Sequence, residues 1–158
     1  MTNNSFVLVD GEQIAADDAR LSGLDDAFQA AWRLYDGAIS VDLATAKQIK
    51  KSQLAAKRWD VETGGMTVSG MTVSTDRDSQ GLVTGAAFAA SLDDTYTVKW
   101  KTAGGFIDLD ATGIIGIAQA MRAHVQGSFN REAVIASDID DCTTIAQLDA
   151  IDINAGWD

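Results

Sequence analysis

Few side chains in this sequence are suited to chemistry, and their spacing selects no reaction. There is one histidine, His124, and one cysteine, Cys142, eighteen positions further on. A lone helical histidine without a partner signal reads as a border residue of an apolar face, not as a base. Cys142 lies in the acidic run SDIDDCTT, and acidic neighbours disfavour the thiolate that a nucleophile needs. The two together are too few for a structural zinc site. Neither a phosphate-binding glycine loop nor a Gly-x-Ser-x-Gly elbow is present. The nearest approach to a metal site is DLDATG, which puts Asp108, Asp110 and Thr112 at positions 1, 3 and 5 of a calcium loop and Gly113 at position 6. Position 12 is Gln119, which lacks the bidentate carboxylate, and Asp110 is equally suited to capping a helix. The Asp-rich stretch 137–141 reads as a solvated turn. A hydrolase would need two carboxylates across a cleft; Asp76, Asp78, Asp108 and Asp110 supply carboxylates, but no motif selects a pair. The expectation is therefore no catalytic residue, no cofactor and no metal.

The chain has 158 residues, 46% of them hydrophobic, enough for one domain with a real core, or a small domain with an appended arm. No apolar run reaches the roughly 18 residues of a membrane span, and the beginning MTNNSFVLVDGEQ lacks the basic start and apolar stretch of a secretory signal. Net charge is −11; Glu12, Glu62 and Glu132 are the only glutamates among 23 acids, so 20 are aspartates. Such a surface repels nucleic acid and anionic membranes. Proline is absent, so turns must be made by Gly, Asp, Asn and Ser.

The elements follow from those turns. Phe6–Val9 and the run from Glu12 flank Asp10-Gly11, and Trp32–Tyr35 and Ala38–Val41 flank Asp36-Gly37; both pairs are predicted hairpins. A short helix opened by Asp25 is expected over 24–31. Residues 1–41 thus form a mostly β module. Asp42 caps a linking helix over 42–63, ended by Gly64-Gly65. The repeated triplets Met66-Thr67-Val68 and Met71-Thr72-Val73 fold onto each other across Ser69-Gly70, pairing Val68 with Met71 and Thr67 with Thr72. Thr75 with Asp78 approximates a capping box for a helix running to about Leu92 with Leu82, Ala86, Ala89 and Ala90 on one side. A second hairpin follows, from Tyr96 to Trp100 and from Phe106 to Leu109. Asp110 then caps a long helix with Ile114, Ile117, Ala118, Met121, Val125 and Phe129 on its apolar face. Glu132 interrupts that face before Ile135 and Ile139 resume it, which predicts an end or turn near Asn130. A short helix over 144–150 closes the pattern. The fold class is α+β: small antiparallel hairpins with helices on one face, residues 64–158, preceded by the β module and the linking helix.

Five of the 12 basic residues, Lys47, Lys50, Lys51, Lys57 and Arg58, gather on one side of the linking helix. The bland expectation is a solvated basic face; the sharper one is a face that meets an acidic partner. The other side carries Thr45, Ile49, Ser52, Ala56 and Trp59 at intervals of 4-3-4-3, the spacing of a helix seam. These five are the candidate self-association surface. The seam lasts only about two heptads.

From Arg58 onward the sequence carries a distinctive set of motifs. They are RWDVETGGMTVSGMTVSTDRDSQGLVTGAAFAA, then YTVKWKTAGGFIDLDATGIIGIAQAMRAHVQGSFNREA, then TTIAQLDAIDINAGW. Together they resemble a family of unknown function encoded by tailed bacteriophages and prophages, usually among tail genes. The resemblance covers about residues 58–158. Upstream, FQAAWRLYDGAISVDLATAKQIKKSQL is similar to the N-terminal part of other short phage tail-region proteins. The resemblance implies a structural or assembly role in the phage and brings no catalytic residues.

Three functions from different classes stay open. One is a virion component of the tail (a fibre, spike or tail-tip subunit) attached by residues 1–41, with the linking helix setting subunit number and the C-terminal domain presented to a host surface receptor. A trimer suits such an appendage, and its partners would be other tail proteins. The second is a tail-fibre assembly factor absent from the finished particle. The third is a cell-wall hydrolase. The first fits the module order best. Trp100 and Trp157 could stack on a sugar, or serve as hairpin and core packing.

Overall fold

The computed structural model describes residues 6–9, 12–15, 32–35, 38–102 and 104–157, with side chains from Asp42 onward. The helix expected over 24–31 lies outside the described residues. Asp-Gly pairs at 10–11 and 36–37 separate strands as the sequence predicts: β1 (Phe6–Val9) pairs antiparallel with β2 (Glu12–Ala15), and β3 (Trp32–Tyr35) with β4 (Ala38–Val41). The two hairpins join through a parallel β1–β4 ladder, giving one sheet in the order β2-β1-β4-β3.

Downstream, helices alternate with two separate two-stranded sheets. The order is α1 (Leu43–Thr63), β5 (Met66–Val68), β6 (Met71–Val73), α2 (Arg77–Leu92), β7 (Thr97–Thr102), β8 (Gly105–Asp110), α3 (Ala111–Asp141) and α4 (Ile145–Asp149). The fold is α+β, built of hairpins and helices. The triplet repeat pairs Val68 with Met71 and Thr67 with Thr72. Its turn holds Ser69 at φ 50° and Gly70 at φ 80°, the left-handed pair that a tight hairpin of matching twist requires.

Packing divides the chain into two units. One comprises residues 1–57 with 132–156, and the other residues 58–131 with 157–158. In the first, Ala46 and Leu54 of α1, Ile135 and Ile139 of α3, Cys142, and Ile145 and Leu148 of α4 are buried. Thr144 caps α4 with a full capping box completed by Gln147. In the second, Val73, Val83, Ala90, Leu109, Ala111, Ile114, Ile117 and Met121 form the core.

Five local expectations are corrected. Asp76, not Thr75, caps α2: its carboxylate accepts from the Ser79 N–H at 2.8 Å. Thr75 is buried and accepts from the Gly65 N–H at 2.9 Å. Val83 and Ala90 are the buried positions of α2 and Ala86 packs against the same core, whereas Leu82, expected on that side, is exposed. The third concerns α3, which runs unbroken for 31 residues through Asn130. Asn, Arg and Glu are tolerable inside a helix, and no proline stands there to break it. The interruption at Glu132 marks a change of packing unit, not a helix end. Ser128 is buried on α3 and Phe129 is exposed, because the Ser128 hydroxyl is satisfied by the His124 carbonyl at 3.0 Å. Finally, residues 137–141 are the end of α3, not a solvated turn.

Continuity of α3 has a direct test. Asn130→Pro removes one helical hydrogen bond and clashes with the preceding turn. It is expected to lower unfolding free energy by about 3 kcal/mol or more in urea titration. A variant as stable as the parent would place a helix end there.

Candidate functional site

The most concentrated group of polar side chains lies where α1 ends, and its centre is Glu62, whose side chain is wholly buried. Two arginines hold the carboxylate. Arg58, one turn earlier on α1, pairs with Oε2. Arg77, the first residue of α2, reaches Oε1 at 2.9 Å. The Gln80 amide bridges from the same helix, donating to the Thr75 carbonyl at 2.7 Å and lying 3.5 Å from Glu62 Oε1. Planar guanidinium groups suit this site because they also stack. Arg58 lies 4.6 Å from the Phe129 ring centroid and Arg77 lies 5.0 Å from that of Trp59. His124 of α3 closes the group: its Nε2 sits 3.0 Å from the Val61 carbonyl. A carbonyl only accepts, so that nitrogen carries the proton.

Local sequence explains why these groups meet. Gly65, at φ 95°, turns the chain out of α1, and its N–H bonds Thr75 on the far side of the β5–β6 hairpin. That contact brings the start of α2 back beside the end of α1. Asp76 caps the returning helix, and hydrogen bonds from Ser74 and Ser79 lower its carboxyl from 3.8 to about 2. The arrangement is a chemically closed clamp. Both carboxylate oxygens of Glu62 are held by guanidinium groups, with the Gln80 amide beside Oε1, the pairing that a buried charge requires.

The residues singled out from sequence are placed as follows. Asp108 pairs with Lys99 at 2.7 Å across the β7–β8 hairpin. Asp110 accepts from the Gly113 N–H at 2.7 Å, capping α3 as expected. Both carboxylates thus serve the hairpin and the helix. Cys142 is buried, its Sγ 3.3 Å from the Asp138 carbonyl. Among the described residues, no three His, Cys, Asp or Glu side chains converge as metal ligands, and no helix is long and apolar enough to cross a membrane. Of the seam residues, Thr45 and Ile49 are half-buried while Ser52, Ala56 and Trp59 are exposed. Thr45 also donates to Asp42.

The basic side of α1 departs from the solvated face expected of it. Lys47 donates to the Asp140 carbonyl at 2.8 Å and Lys51 pairs with the Asp140 carboxylate at 2.6 Å. Lys50 is buried. The Lys47 and Lys51 amines meet the C-terminal end of α3, where carbonyls without helical partners and the helix dipole favour cations. The Asp140 carboxylate of the same chain pairs with Lys51.

An open concavity borders the second unit's core. It is a groove of about 650 Å³ between β6, α2 and β7, lined in part by Gly81, Leu82, Gly85, Tyr96, Trp100 and Lys101. Sequence reasoning missed it, since its lining comes from three elements that only the fold brings together.

These features define an α+β protein organised by a buried ion-pair clamp. A family signature described as a domain of unknown function, DUF4376, matches residues 45–155. That span exceeds half the chain, and the chain belongs to this family. Neither the curated proteins nor the solved structures yield a match.

Two outcomes test the clamp. Glu62→Ala leaves Arg58 partly buried without its anion, and is expected to cost about 3 kcal/mol in denaturant unfolding; a loss within error would mean that the pair contributes nothing. Asp76 behaves differently. Its folded pKa of about 2 lies below the ordinary 3.8, so its contribution is fully present above the unfolded value and is lost as pH falls toward 2. Asp76→Asn should therefore flatten the fall in thermal stability between those two pH values, and an unchanged acid profile would refute the assignment.

Proposed function

We propose that this protein is a structural component of a bacteriophage tail: a fibre, spike or tail-tip subunit that attaches by its N-terminal module and presents the C-terminal part outward. The observation that carries the reading is how the motifs of the phage-family resemblance are used. Glu62, Gly65, Thr75, Arg77 and Gln80 all belong to the RWDVETGG and TDR-S-Q runs, and each is committed to the others. Residues spent on holding one another describe a scaffold. The partners are other tail proteins and further copies of the chain, and the presented part meets a host surface receptor. Self-association through Thr45, Ile49, Ser52, Ala56 and Trp59 is part of this reading, and the exposure of Ser52, Ala56 and Trp59 supports it.

Mass spectrometry of purified particles is the test of the tail assignment. The chain is expected among the virion proteins; its absence from particles would move the assignment to a tail-fibre assembly factor. For the seam, Ile49→Asp is expected to lower the solution mass in light scattering, toward fewer copies than the trimer that suits an appendage. An unchanged mass would dismiss the seam.

A further inference from the structure

The helix α2 is unlike a surface helix of an acidic protein. From Ser79 to Leu92 it contains no charged residue, although the chain has a net charge of −11. Its inner side is occupied by Val83 and Ala90. A helix with one buried face normally carries charge on the other. Here the outer side shows Phe88 at 66% and Leu92 at 74% exposure. Apolar rings and branched chains left this open mark an interaction surface.

The outer side also contains the matching hole. Gly81, Gly85, Phe88 and Leu92 follow one another at intervals of 4-3-4, which places them along one stripe of the helix. The N-terminal half of the stripe is bare and the C-terminal half is bulky. A side chain built at Gly81 or Gly85 would meet nothing within 4 Å. Beside the glycines lies the groove, walled by Tyr96 and Trp100.

We propose that this stripe is the contact between two copies of the chain, with the two α2 helices antiparallel across a two-fold axis. Antiparallel pairing sets Phe88 of each copy on Gly85 of the other, and Leu92 on Gly81. Each bulky group then fills the other copy's hollow, and the glycines let the helices approach closely. Parallel pairing would stack Phe88 on Phe88 and leave glycine facing glycine over a void. The contact is self-complementary, as a two-fold interface must be. It also joins the copies at the least charged part of a strongly acidic surface, where mutual repulsion is smallest. This contact is distinct from the α1 seam and does not depend on the tail assignment.

The test uses the full chain, with Ile49→Asp present so that the seam does not contribute. Sedimentation velocity is expected to show a dimer. Adding Phe88→Ser and Leu92→Ser should weaken association about a hundredfold, with the circular dichroism spectrum unchanged because both side chains are exposed. A monomeric Ile49→Asp chain, or a dimer that survives the two serines, would overturn the proposal. Orientation is read separately, in the otherwise natural chain. Gly85→Cys and Phe88→Cys chains, one of them tagged, are mixed and oxidised. The antiparallel pair gives a mixed disulfide and little self-coupling. Self-coupling of each variant without the mixed product would overturn the arrangement.

Discussion

A carboxylate removed from water is the constraint on which the second unit is built. Glu62 is wholly buried, and a buried charge is tolerable only when its attraction to nearby cations and its hydrogen bonds offset the loss of hydration. The chain meets that demand from three directions. Arg58 comes from the same helix, Arg77 and Gln80 from the next one, and the hairpin between them sets their distance through the bond from Gly65 to Thr75. The stack of Arg77 on Trp59 and of Arg58 over Phe129 fixes the guanidinium planes. Arg58 reaches Glu62 within α1, but the contacts of Arg77 and Gln80 need the hairpin to close in the observed register, so that half of the clamp and the β5–β6 turn specify each other.

The hairpins were legible because short turn signals stand between β-prone runs: β1 pairs with β2 and β3 with β4 as expected, and Ser69-Gly70, a turn that needs two left-handed residues, sets Val68 against Met71. The cap on α3 was legible for the same reason: Asp110 is a short acceptor standing before a helical pattern. What sequence reading missed is burial decided by partners and not by residue type. Glu62, Lys50, Thr75 and Ser128 are buried polar side chains, whereas Leu82, Phe88 and Phe129 are exposed apolar ones. A hydrophobicity pattern counts each of these seven on the wrong side. Ser128 hides because its own helix supplies the carbonyl, and Phe129 stays out because Arg58 covers its ring. The parallel ladder between β1 and β4 was equally beyond local reading, since no turn joins those strands directly.

The acidity of the chain has an internal use as well as a solubilising one. Lys47 and Lys51 of α1 converge on Asp140, one residue before α3 ends. Carbonyls at that end lack helical partners, and an ammonium group satisfies both the carbonyl and the dipole. Asp140 adds a carboxylate to the same spot. Lys47 and Lys51 are therefore spent within the first unit, just as Arg58 and Arg77 of the second unit are spent on Glu62.

That economy decides where to look for contacts with other molecules. Four of the five basic residues of α1 pair within the chain or are buried, and the motif residues around Glu62 are closed on themselves. Asp108 and Asp110 are likewise engaged with Lys99 and Gly113. A surface that meets a partner must be built from groups with no such internal duty. Phe88 and Leu92 meet this condition, for their side chains are held by neither the core nor an ion pair. The glycines beside them meet it too, since their only contribution is empty space.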